Sequence, residues 1–214
     1  MQFGQDDGIV VVSPTSAGQK ERDAVLAYGE RKKRRKAGTM TTPEYLQTPE
    51  TVLPCELAYG VLRVADAPSI PHQRMVGELF LALTAYVRER RLGEVLLAPI
   101  DVVLDFDRAL VVQPDLVYVS RERNHIAADR VYGAPDLAIE VLSPHARVGR
   151  VDEQVGWFAQ YGVRECWLVH LRPLEVAVLA LSEAHGVSRR TLHSAGEPLA
   201  SDVLPGFVAP VLYE

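Results

Sequence analysis

Two carboxylates break otherwise apolar runs in this chain. Asp115 follows Pro114 and opens Leu116-Val117-Tyr118-Val119, and Glu140 stands inside Leu137-Ala138-Ile139-Glu140-Val141-Leu142. Burying an unpaired carboxylate is expensive, so an acid at such a position needs a partner. Two acids on neighbouring strands offer the hard oxygen donors that Mg²⁺ or Mn²⁺ takes while keeping several waters. An ion held there polarises a phosphoryl group and acidifies a water, which is the chemistry of phosphate-ester hydrolysis. The competing reading of the same spacing is a carboxylate paired with an arginine or capping a loop.

The remaining reactive side chains form no second constellation. His125, His145, His170, His185 and His193 lack the spacing that a shared zinc needs. Cys55 and Cys166 are two isolated thiols in strand-like contexts and read as free and buried. Ser143, just before Pro144, suits the cap of a following helix. Trp157, Phe158 and Tyr161 fall on that helix and read as core.

These residues must be carried by an ordered set of elements. Thr42-Pro43-Glu44 reads as the cap, first-turn proline and early acid of a short helix. Runs at 54–59 and 61–65 alternate about Tyr59-Gly60, the pattern of a hairpin. Between Pro71 and Arg91, apolar residues recur at Met75, Val76, Leu79, Phe80, Leu83 and Val87. That is the 3.6-residue period of a long helix, which Gly93 is placed to end. Strands are expected at 94–98, 101–105, 115–119 and 136–142, with a turn from Asp105 to Arg108. Residues 147–161 read as a helix with Val151, Val155 and Phe158 on one face, followed by strands at 165–169, 174–181 and 187–193. The order predicts an α/β domain built on a mixed β-sheet flanked by helices, with extra β-hairpins.

Composition narrows the class. A chain of 214 residues, 48% apolar and 24% charged, is that of a soluble globular protein. No run approaches 18 consecutive apolar residues and no leader pattern opens the chain, so we read no membrane span or signal peptide and expect the cytoplasm. The formal net charge of −5 is unevenly spread: residues 1–39 hold eight Lys/Arg against five Asp/Glu, and residues 40–214 hold 15 against 23. The first segment reads as a basic, weakly ordered extension whose run from Arg31 to Lys36 is solvated and able to meet phosphates. Met40 opens the domain, 40–214, and is an alternative start of translation. An acidic domain counts against a broad nucleic-acid binder. Every lysine lies at or before Lys36, so the domain has none.

At this point the residues carry a resemblance. Gln113-Pro114-Asp115-Leu116, then Pro135-Asp136-Leu137-Ala138-Ile139-Glu140-Val141-Leu142-Ser143-Pro144, resembles the bacterial Uma family of restriction-endonuclease-like proteins. The likeness runs from Met40-Thr41-Thr42-Pro43-Glu44-Tyr45-Leu46 through Glu56, Gly60, His72, Ala98-Pro99 and Asp101-Val102. It continues through Tyr161-Gly162-Val163-Arg164-Glu165-Cys166-Trp167-Leu168-Val169 to Leu204-Pro205-Gly206-Phe207. It implies a PD-(D/E)XK nuclease fold with Asp115 and Glu140 as the metal-ligating acids.

The motif's usual lysine would stand at Leu142, on the same strand face as Glu140. In this family it comes instead from the following helix, fourteen residues after the glutamate, a position held here by Gln154. The family's acid four residues earlier is replaced by Arg150. Glutamine can hydrogen-bond a water but offers neither charge nor basicity. Accessory candidates are Glu56 reaching the metal from the hairpin, His72 lining the cleft, Gln113 orienting substrate, and Asp152 or Glu153 as a base or third ligand. Each also has a plain structural reading: exposure, packing, strand hydrogen bonding and solvation. The leading expectation is an endonuclease that uses Mg²⁺ or Mn²⁺ on nucleic acid, DNA above all, as a homodimer. The alternatives are a catalytically inactive pseudo-nuclease that binds nucleic acid or protein, and a hydrolase of small phosphorylated molecules.

Overall fold

The structure is a computed structural model that describes residues 40–49, 54–65, 67–142 and 148–209. The basic extension, Ser143 and His145 lie outside the described residues. The helices are α1 (Thr42–Leu46), α2 (Ile70–Arg90) and α3 (Val148–Tyr161), with a 3₁₀ turn at Arg121–Ile126. In chain order the strands are β1 (Cys55–Ala58), β2 (Val61–Val64), β3 (Gly93–Leu97), β4 (Val102–Asp105), β5 (Leu110–Val112), β6 (Leu116–Ser120) and β7 (Val131–Tyr132). They continue with β8 (Leu137–Leu142), β9 (Glu165–Leu171), β10 (Leu174–Ser182), β11 (Gly186–Ser194), β12 (Leu199–Ala200) and β13 (Val208–Ala209).

Local chemistry explains the element ends. Thr41, not Thr42, caps α1: its side chain accepts the Glu44 N–H while the Glu44 carboxylate accepts the Thr41 N–H. Thr42 is freed to donate its hydroxyl to the Phe106 carbonyl at 2.6 Å, which fixes the helix to the β4–β5 turn. The first hairpin turns at Tyr59 and Gly60, both at positive φ (47° and 81°), as a two-residue connection requires. The long helix ends at Arg91 in the left-handed conformation, two residues before the glycine expected to stop it. Gly93 serves the sheet instead, because a Cβ there would lie 2.1 Å from the Val119 carbonyl oxygen.

The strands form two mixed sheets rather than one. The larger has the order β11-β10-β9-β8-β6-β3, antiparallel except for the parallel pair β8–β9. The smaller, β2-β1-β5-β4-β7, gathers the hairpins, and β12–β13 form a separate ribbon. Alternation along the large sheet sorts its side chains. Leu116, Tyr118, Leu137, Ile139, Trp167 and Val169 pack against Val76, Leu79, Leu83 and Val87 of α2. Val117, Val119, Ala138, Cys166, Leu168 and Ala177 pack on the other side, with Val155 and Phe158 of α3 and with Val102, Leu104, Leu110 and Val112 of the small sheet. The outer face of the small sheet is covered by Met40 and by Tyr45 of α1. The layers are therefore α2, large sheet, α3 with the small sheet, and α1.

Candidate active site

Leu116 pairs with Ile139 at the start of the β6–β8 ladder. One step further this antiparallel register sets Asp115 across from Glu140. Ala138 and Val117 belong to the core cluster on the α3 side, so by strand alternation Glu140 and Asp115 also turn to that side. Asp115 ends the pairing by accepting the Val141 N–H on Oδ2 at 2.8 Å. The same oxygen lies 3.2 Å from His72 Nε2, which α2 brings in from its first turn.

On the other side of the acid pair, α3 presents Gln154. Its amide Nε2 donates to Glu140 Oε1 at 2.7 Å and to Glu56 Oε1 at 3.3 Å. One amide thus bridges a carboxylate of the large sheet and one of the β1–β2 hairpin. Glu56 is held further by the Gln113 N–H, which donates to Oε1 at 3.3 Å. The Gln113 side chain accepts the Cys55 N–H at 3.0 Å and donates to Asp101 Oδ1 at 2.9 Å. Asp101 also accepts the Tyr45 hydroxyl at 2.9 Å and pairs with Arg130 Nε at 3.0 Å. Gln113 is therefore a brace between hairpin, β5 and Asp101.

The electrostatics follow from this crowding. Burial, then the negative charges of Asp115 and Glu56, push the Glu140 carboxyl well above its ordinary range. Burial also raises Glu56, opposed by the Gln113 N–H and by Arg150 and Arg63. The hydrogen bond to Asp115 lifts the His72 imidazole against the opposing effect of burial. His72 Nδ1 is buried without a hydrogen-bond partner among the described residues.

Of the residues singled out from sequence, the structure gathers Asp115, Glu140, Gln154, Glu56 and His72 around one point, with Gln113 behind Glu56. Asp152 is solvent-exposed, and no hydrogen bond or ion pair joins it to the group among the described residues. Leu142 packs against the α3-side cluster. Arg63, Tyr45 and Asp101 escaped the sequence reading of the site. Arg63 meets Glu153 from 90 positions away and Tyr45 meets Asp101 from 56, separations that no local periodicity reveals.

The donor set can be tested against a metal. Among the described residues no three His, Cys, Asp or Glu side chains converge tightly enough to cage an ion. A hard cation needs fewer protein ligands, one or two carboxylates with water completing its shell. Asp115 Oδ1 and Glu140 Oε2 have no hydrogen-bond partner among the described residues. Burial first, then the charges of Asp115 and Glu56, raise Glu140, and a divalent ion would offset that charge. The acid pair offers the carboxylate oxygens that a hard divalent ion takes.

The fold is that of a restriction-endonuclease-like protein, and comparison with known proteins agrees. Residues 42–212 match the model of the Uma2 family, described as "Putative restriction endonuclease", and the chain belongs to that family. It is similar to the crystal structure of a protein from Anabaena variabilis described as a putative nuclease of DUF820. The TM-score is 0.67 at 17% identity, covering 80% of this chain and 94% of that one. At that identity the likeness establishes the fold. None of the curated proteins compared matches the chain. Among the described residues no helix is long and apolar enough to cross a membrane.

Proposed function

We propose that this protein is a metal-dependent endonuclease that hydrolyses phosphodiester bonds, in DNA above all. The observation that supports the reading is the convergence of Glu140, Asp115 and Glu56, with the Gln154 amide bridging Glu140 and Glu56. Asp115 and Glu140 would hold Mg²⁺ or Mn²⁺. When bound, such an ion supplies charge to offset the phosphate and lowers the pKa of a nearby water.

The chain's own residues set the rest. The Val141 N–H and His72 orient Asp115 so that its second oxygen stays available. Gln154 holds Glu140 and Glu56 by two hydrogen bonds and can present its carbonyl oxygen to a water. It cannot take a proton from that water. Removal of the proton falls to a carboxylate or to solvent, so turnover is slow.

The alternative reading, a pseudo-nuclease that binds without cutting, draws on the same amide: a neutral bridge between two acids is a stable resting structure. Incubation with labelled DNA and RNA in Mg²⁺ or Mn²⁺ separates the two. The nuclease reading expects slow cleavage that chelation stops and that Asp115→Ala or Glu140→Ala abolishes. Tight nucleic-acid binding with no cleavage in either metal assigns the protein to the alternative.

A further inference from the structure

Three carboxylates converge at a place meant, on the nuclease reading, to receive a phosphodiester. Every phosphate adds a negative charge, and the domain from Met40 onward has no lysine. Beyond a bound metal ion and His72, side-chain charge to meet it within the domain comes from arginine, and two arginines stand near Glu56. Arg63 is the cross-strand partner of Glu56 in the β1–β2 ladder, so the two side chains share a face. Its guanidinium lies 5.3 Å from the Trp157 ring centroid and makes two bonds to Glu153, at 2.8 and 3.3 Å. Arg63 is therefore fixed, and its charge is already matched.

Arg150 differs. It sits on α3 one turn before Gln154, on the helix face whose amide reaches Glu56 and Glu140. It is half-buried, and among the described residues no hydrogen bond and no close ion pair fixes its guanidinium. Glu56 feels its charge, but with no hydrogen bond to hold it the guanidinium is open to a further anion. Its planar fork matches two oxygens of one phosphate.

We propose that Arg150 and Arg63 form a phosphate-binding site at the mouth of the carboxylate cluster. Arg150 takes the nucleic-acid backbone, and Arg63, latched to Glu153 and Trp157, is its fixed wall. The proposal rests on the nuclease reading and specifies how that site engages its substrate.

The test is fluorescence anisotropy of a labelled DNA duplex with the full chain in EDTA, titrated over a range of salt. Arg150→Ala is expected to weaken binding at low salt about tenfold, as loss of one charge-assisted contact does. It should also reduce the slope of log K against log salt by about 0.9, one phosphate contact on a duplex. Arg150→Lys should keep the slope. Arg88→Ala, on α2 about 24 Å along the helix from His72, should change nothing. Wild-type affinity and slope in Arg150→Ala overturn the proposal. Should that variant lose its fold, Glu153→Gln decides, since freeing Arg63 is expected to tighten binding and unchanged binding overturns the site. A wild-type chain that binds no nucleic acid at any salt removes the nuclease reading itself, and the proposal with it.

Discussion

Glu140 is poised between two costs. Ionised, it is desolvated beside Asp115 and Glu56; protonated, it gives up charge that a cation would use. The sign of the linkage follows. Its folded pKa lies above its unfolded value, so between the two the folded state holds a proton that the unfolded state has released. Stability of metal-free protein should therefore fall as pH rises from the usual carboxylate range through the raised folded pKa. Glu140→Gln removes the penalty and is expected to stabilise the chelated protein at neutral pH by about 1–3 kcal/mol. Denaturant unfolding in EDTA at pH 5 and pH 8 measures it; a variant less stable than wild type at pH 8 contradicts the account. Adding Mn²⁺ should stabilise wild type and leave Glu140→Gln nearly unmoved. At this scale much was legible in the sequence. An acid inside an apolar strand is visible because alternation fails there, and Gln154 is visible because Val151, Val155 and Phe158 define a helical face. The couplings were not legible, because nothing local to Glu56 says that Gln113 and Gln154 will reach it.

The elements that aim these residues came through unevenly. Long periodic segments such as α2, α3 and β10 stand within a residue or two of their expected bounds. β5 was missed: Leu110–Val112 is three residues long, follows a turn and merges by sequence with the run leading to Asp115. The miss hid the second sheet, since β5 joins the first hairpin to β4. Gly93 shows the same limit, because its role depends on a strand far along the chain. Gly93→Ala would force a Cβ into the Val119 carbonyl and is expected to cost more than about 2 kcal/mol of stability. A helix-stop role alone would cost less, about 1 kcal/mol, and urea unfolding distinguishes the two. Gln113→Ala tests the brace. Losing its bonds to Cys55 and Asp101 should cost about 1–3 kcal/mol and lower metal-dependent cleavage, since Glu56 leans on the same residue. Unchanged unfolding and unchanged cleavage would show that the hairpin is held without it.

Across the whole molecule, the site exists because two sheets and two helices meet. The large sheet supplies Glu140, Asp115 stands at its end, the small sheet supplies Glu56, α3 supplies Gln154 and Arg150, and α2 supplies His72 from the opposite layer. Sequence reading foresaw the mixed α/β class and most of the elements. The partition into two sheets needed pairings between residues dozens of positions apart. The central claim is that this meeting point is a nuclease centre slowed by a missing ammonium, and one measurement addresses it most directly: the Mn²⁺-dependent cleavage rate of Gln154→Lys against wild type, with Glu140→Ala as the blank. Restored acid–base and charge contributions are typically worth about 10²–10⁴-fold, so even partial recovery is visible on a gel once circular dichroism confirms the fold. Slow wild-type cleavage, faster cleavage by Gln154→Lys and none by Glu140→Ala are expected. Brisk wild-type cleavage unaffected by any change at Gln154, or cleavage that survives Glu140→Ala, would contradict that claim.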